Sequence, residues 1–137
     1  MSKTAIYPGS FNPLHEGHID IIKKALKCFE HVTVLRMQNP GKDLSDYPMP
    51  KAELYALGNV SVLEANGMLV DVVKMLDGCA VIRGLRNGND LETERIQQYW
   101  NEDLGLVVPT VYFITDRSLI HVSSSALRMI EKLKESK

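Results

Sequence analysis

The chain has 137 residues, 16 basic against 17 acidic, a formal net charge of −1, and a hydrophobic content of 45%. That length and apolar content suit a single domain, expected to span residues 1–137, with one core. The near-neutral balance argues against nucleic acid as the main partner, because phosphate-backbone binders carry a basic excess, yet it admits a small phosphorylated ligand met by a few local cations.

Residues 4–7 read as a first strand that stops at Pro8-Gly9. Gly9 to His18 then reads Gly-Ser-Phe-Asn-Pro-Leu-His-Glu-Gly-His. A glycine-containing loop between a strand and a helix offers backbone N–H groups and a helix N-terminus to an anion, usually a phosphate. Ile19, Ile22, Ala25, Leu26 and Phe29 recur at helical spacing and predict a helix over 17–29. A second strand is expected over 31–37. Residues 38–50 form a polar loop with Gly41, Lys42 and three prolines, followed by a short helical piece over 51–57. A third strand is expected over 59–64, and Leu69, Val72, Val73 and Leu76 mark the next helix. A fourth strand over 79–82 leads into a loop over 83–89. A polar helix over 90–104 is expected to be capped at Asn89 or Asp90. A fifth strand over 110–114, a loop over 116–125 and a helix over 124–134 complete the pattern.

The strands are short, β-branched and apolar on both faces, which favours a parallel sheet covered by helices. Strand-helix alternation gives the fold class: α/β, a Rossmann-like doubly wound five-stranded parallel sheet with helices on both faces. Ligands of such sheets lie beyond the carboxyl ends of the strands, so the loops after the strands are expected to converge. Cys28 and Cys79 sit in apolar patterns and read as small buried hydrophobes, not a disulfide framework. No apolar run is long enough to span a bilayer and no signal segment is recognisable, so membrane partners are not expected and a cytoplasmic setting is.

His15 and His18 are the first residues that could carry chemistry. Their spacing of three, with glycine between, differs from the zinc-protease pattern, and no cysteine or histidine cluster supports them, so a protein-held metal is not expected. They could instead be plain loop and cap histidines. Arg83 and Arg86 follow a buried strand, and guanidinium groups bind phosphate oxygens in forked geometry. The bland alternative is that both are surface arginines paired with Asp90, Glu92 or Glu94. Ser123, Ser124 and Ser125 open a helix that carries Arg128; they either cap it or seat an anion. Lys42 lies on a loop where most lysines are merely solvated. Trp100 on the polar helix is expected in core or interface.

Taken in order, these strings resemble the nucleotidyltransferases of the HIGH superfamily, and among them the phosphopantetheine adenylyltransferases. The likeness is carried by Ala-Ile-Tyr-Pro-Gly-Ser-Phe-Asn-Pro at 5–13, Gly-His-Ile-Asp-Ile at 17–21 and Asn-Pro-Gly-Lys at 39–42. Ile-Arg-Gly-Leu-Arg at 82–86, with Asp90, Glu92 and Glu94 behind it, and Val-Ser-Ser-Ser at 122–125 complete it. It runs from about residue 4 to residue 130. The resemblance implies transfer of AMP from ATP to the phosphate of 4'-phosphopantetheine, giving dephospho-CoA and pyrophosphate. It implies that Ser10, Lys42, Leu69 and Arg83 contact the acceptor. It assigns ATP to Ser10, Phe11, His18, Gly84, Leu85, Arg86 and Glu94, with the loop of Leu119, Ile120, His121, Val122, Ser123, Ser124 and Ser125. It gives His18, Lys42, Ser10 and Arg86 the catalytic roles, Mg2+ carried by the nucleotide as cofactor, and a homohexamer as assembly. His15 stands where this family generally has threonine, and histidine there is usual in the nicotinamide-mononucleotide and cytidylyl branches. Transfer to nicotinamide mononucleotide or a CTP-dependent cytidylyl transfer is therefore a competing reading, and a nucleotide-binding module without catalysis is one from a different class.

Overall fold

The computed structural model describes residues 3–37, 47–116, 119 and 124–135; for residues 124–126 and 135 the description is of the backbone alone. The elements run β1 (Thr4–Gly9), α1 (Glu16–Leu26), β2 (His31–Met37), α2 (Lys51–Tyr55), β3 (Val60–Ala65), α3 (Leu69–Met75), β4 (Ala80–Leu85), α4 (Gly88–Asp103), β5 (Thr110–Ile114) and α5 (Ser124–Glu135). The five strands form one sheet of order β3-β2-β1-β4-β5, and every pairing is parallel. This is the doubly wound α/β sheet expected from the strand-helix alternation.

Alternation of side chains along a strand sorts the core into two layers. Ala5, Tyr7, Val32, Val34 and Ile82 pack with Ile21, Ile22 and Ala25 of α1 and Leu54 of α2. Ile6, Leu35 and Val81 pack on the other face with Val70, Val72 and Val73 of α3. Both faces of the central strands are thus covered, which is why their sequences read as near-continuous apolar runs.

The chain reverses direction of progress across the sheet between β1 and β4, and there the ladder is short. β1 pairs with β4 only at Ala5–Ala80 and Ile6–Val81, whereas it pairs with β2 along its full length from Thr4 to Gly9. Pro8 has no N–H to give, and it lies on the part of β1 that β4 does not pair with. The two strands therefore part beyond Ile6 and Val81, and the cleft described below opens in that gap.

Several expectations change. β4 does not end at Ile82: it continues through Arg83, Gly84 and Leu85, because β5 offers the matching partners Tyr112, Phe113 and Ile114. β1 likewise runs on to Gly9. α4 begins earlier, with Asn87 as its cap, whose side chain accepts from the Asp90 backbone N–H at 3.0 Å. α1 ends at Leu26, so Cys28 falls in the turn beyond it and is exposed, not buried. Trp100 is 67% exposed and belongs to neither core layer. Among the described residues no helix is long and apolar enough to cross a membrane.

Candidate active site

Beyond the carboxyl ends of β1 and β4 lies a cavity of about 400 Å³. The sequence delivers its walls in three pieces. The end of β1 and the turn after it bring Gly9, Ser10 and Phe11; the start of α1 brings His15, Gly17 and His18; β4, α4 and the turn between them bring Arg83, Gly84, Arg86, Asp90, Thr93 and Glu94. Close approach of α1 to β4 depends on Gly84, where a Cβ would lie 3.0 Å from Ile21 Cγ1.

The two histidines cap their own helix. His15 is the N-cap, and its Nδ1 accepts from the Gly17 N–H at 3.0 Å. His18 Nδ1 in turn accepts from the His15 N–H at 3.0 Å. Each Nδ1 is an acceptor, so each neutral ring carries its proton on Nε2. The rings stack with centroids 3.8 Å apart. Phe11 packs edge-on against His18, 4.9 Å away, and against Tyr7, 5.1 Å away. Burial, the neighbouring His15 and the two arginines push the His18 pKa down to about 3. Burial, then Arg86, lowers that of His15. At neutral pH both rings are uncharged donors, not cations.

Each arginine carries a carboxylate partner. Arg83 donates through Nε to both oxygens of Glu94, at 3.1 and 3.0 Å, and through Nη2 at 2.7 Å. Its Nη1 donates to the Pro8 carbonyl at 2.8 Å, so Arg83 bridges the gap that the β1–β4 ladder leaves open. Asp90 accepts from the Arg86 backbone N–H at 2.9 Å and from its Nε at 3.2 Å. Burial would raise the Asp90 pKa, but these bonds outweigh it and hold the carboxyl below its usual range. The pairing that sequence offered as the bland alternative is present, and both arginines still line the cavity.

A second cavity of about 260 Å³ shares Pro8, Gly9, Ser10, Arg83 and Glu94 with the first. It extends over Leu69 and Met37 to an amide- and hydroxyl-bearing wall of Gln97, Gln98, Asn101, Thr110 and Tyr112. Gln97 donates to Asn101 at 3.3 Å, and the Thr110 hydroxyl donates to Gln98.

Of the residues singled out in sequence, Ser10, Phe11, His18, Gly84, Arg86 and Glu94 meet in the first cavity, and Ser10, Leu69 and Arg83 meet in the second. Leu85 does not line either: it ends β4, and its carbonyl accepts from the Thr115 N–H. Leu119 also lines neither. Lys42, Ile120, His121, Val122 and Ser123 lie outside the described residues, and Ser124 and Ser125 enter only as the backbone that opens α5. Arg128 of α5 donates to the Asn12 carbonyl, which ties that helix to the loop after β1. Sequence reading missed the amide wall, although Gln97 and Asn101 are spaced to share one face of α4. It also missed Arg36, whose only signal was a lone charge inside an apolar strand.

Residues 6–130 match the family model described as cytidylyltransferase-like. A phosphopantetheine adenylyltransferase of Clostridium novyi is 35% identical over 133 residues, covering 93% of this chain and 83% of that protein. One of Mycoplasma capricolum is 37% identical over 139 residues, covering 97% of this chain and 99% of that protein. Among solved structures, the pantothenate synthetase of Thermus thermophilus superposes with a TM-score of 0.67 at 17% identity, over 92% of this chain and 61% of that one, a likeness of fold alone. With sequence similarity along nearly the whole length and the sheet to match, the chain belongs to the cytidylyltransferase-like family, among the phosphopantetheine adenylyltransferases.

Proposed function

We propose that the first cavity takes ATP, that the second takes 4'-phosphopantetheine, and that AMP passes between them over Ser10. The observation that carries this is the shared wall: Ser10, Arg83 and Glu94 face both chambers, so ligands filling them would bring their phosphates together. An oxygen of the acceptor phosphate attacks the α-phosphorus in line. A new P–O bond forms, the bond from the α-phosphorus to the bridging oxygen breaks, and the electron pair leaves with pyrophosphate.

No covalent intermediate on the protein is required, so catalysis comes from positioning and from donors aimed at the charge that builds on the phosphoryl oxygens. His18 offers Nε2–H to an α-phosphate oxygen. Ser10 orients the acceptor phosphate, Lys42 spans acceptor and α-phosphate as a point charge, and Arg86 with the α5 N-terminus holds the departing phosphates. Arg83 acts as a fixed cation in the shared wall, its direction set by Glu94 and the Pro8 carbonyl.

Asp90 and Glu94 are committed to arginines, and no group of three metal-ligating side chains occurs among the described residues. That donor set fits a magnesium ion held by phosphate oxygens and water, not one caged by carboxylates. When bound, magnesium neutralises phosphate charge. The chain acts as one domain, since all described strands share a sheet. Self-association fits the exposed stripe of Ile96 and Trp100 on α4 and Leu104 at its C-cap.

The test is a panel of acceptors, each offered with ATP or CTP, with pyrophosphate release as readout. Release with 4'-phosphopantetheine and ATP is expected. His15, stacked on His18, favours a second reading, transfer to nicotinamide mononucleotide; release with that acceptor alone would replace the first. ATP binding by calorimetry without product from any acceptor would leave a binding module.

A further inference from the structure

Arg36 lies in β2 among Val32, Val34 and Leu35, and it is 4% exposed. A guanidinium withdrawn from water is unfavourable unless its donors find partners. Its Nη2 donates to the Phe11 carbonyl at 2.5 Å and its Nη1 to the Tyr47 carbonyl at 2.7 Å. Glu64, its neighbour in the β2–β3 register, stands 3.5 Å away as a half-exposed countercharge. Its Nε has no hydrogen-bond partner among the described residues. The side chain is thus placed for its two terminal nitrogens, which reach two separate segments of chain. A planar fork can serve two carbonyls at once; an ammonium on a flexible stem serves them less well.

The first of those carbonyls belongs to a residue in an unusual state. Phe11 has φ of +47°, a left-handed backbone that bulky side chains rarely adopt. Such a conformation persists where its surroundings over-determine it. Here the carbonyl is held from below by Arg36, and the ring is packed above between Tyr7 and His18. Phe11 therefore takes its backbone from Arg36 and lends its ring to His18. Ser10 precedes it on the same turn, and Arg36 faces Gly9 across the β1–β2 register.

We propose that Arg36 is a positioning residue for adenylyl transfer: through the Phe11 carbonyl it holds the turn that sets His18 and Ser10, with the Tyr47 carbonyl as its second anchor. It lines neither cavity, so it acts only through those groups. This rests on the reading that His18 and Ser10 face the reacting phosphates.

The experiment compares Arg36→Met, Arg36→Lys and Glu64→Gln in the full chain, with kcat and KM for both substrates and the NMR signals of the His18 imidazole. In Arg36→Met, kcat should fall by about a hundredfold, the scale of a small misplacement of catalytic groups, with both KM values nearly unchanged and the His18 signals displaced. Arg36→Lys should recover part of the kcat. Glu64→Gln, which leaves both carbonyl contacts intact, should match the wild type in kcat and in imidazole signals. Wild-type kcat in folded Arg36→Met, or a fall without displacement of His18, overturns the proposal, as does an equal fall in Glu64→Gln. Should Arg36→Met not fold, Arg36→Lys is read by the same two criteria. Absence of transfer by the wild type would sink the proposed reaction instead, and the imidazole signals would still report on Arg36.

Discussion

His18 Nδ1 accepts the backbone N–H of His15 at 3.0 Å, so one imidazole both finishes a helix cap and aims its remaining proton outward. The bond fixes the tautomer. It also means that His18 has a structural task separable from any chemical one.

Substitution can separate the two tasks. His18→Ala should lower turnover by about two to three powers of ten, the scale for losing one transition-state donor. It should also cost about 1 kcal/mol of stability from the broken cap. His18→Gln restores an acceptor suited to that cap position, so it should recover the melting temperature without recovering turnover. Near-normal turnover in either variant would remove His18 from the mechanism.

Arg83 and Glu94 should behave as a unit. Glu94→Gln leaves Arg83 with a weaker, neutral acceptor in a half-buried wall, and stability should fall by about 1–3 kcal/mol. Because Arg83 faces both chambers, affinity for both substrates should weaken together. A loss confined to ATP, measured by calorimetry with each substrate alone, would show that Arg83 does not serve the second chamber.

Acid should loosen the fold. His18 in the folded chain titrates at about 3 against an ordinary 6.5, so the unfolded chain binds more protons between those values. The contribution is complete above pH 6.5 and is lost as pH falls toward 3. Asp90, held below its usual range, adds a loss in the same direction at the lower end. Melting temperature measured from pH 7.5 down to 4 should fall steadily, and His18→Gln should flatten the upper part of that slope. An unchanged slope in His18→Gln would contradict the assignment.

Two glycines predict opposite outcomes. Gly17→Ala sets a Cβ 2.8 Å from His15 Cε1, so the ring must move off its stack, while helix propensity improves. Turnover should drop by about ten- to a hundredfold, while the melting temperature changes little, the lost His15 cap offsetting the gain in propensity. Gly78→Ala sets a Cβ 2.6 Å from Cγ1 of Ile6, which is wholly buried. It should cost about 1–3 kcal/mol from overpacking and leave turnover of the folded fraction intact. Thermal denaturation beside initial rates distinguishes the pair.

Much of this was legible in the residues. β2 and β5 have the limits expected from their β-branched and aromatic runs. β4 was cut short at Arg83, since a charge in a buried parallel strand looks like its end. Glu94, brought in from the next helix, and the Pro8 carbonyl are what let Arg83 stay in the sheet. Arg36 went unnoticed for the same reason: its partners are main-chain carbonyls 11 and 25 residues away in sequence. Pattern reading sees side-chain types, and it does not see which carbonyls a turn leaves facing inward. The string around His18 pointed to the loop that lines the first cavity, but the shared wall between two chambers arises from where β1 and β4 separate, which no local string encodes.

That wall has a pharmacological side. With Ser10 and Arg83 common to both chambers, an inhibitor could tether an adenosine head to a pantetheine-like arm by a short bridge across the divide. Its second half would then bind as an intramolecular event, and the tethered molecule could exceed either half in affinity by about two to four powers of ten.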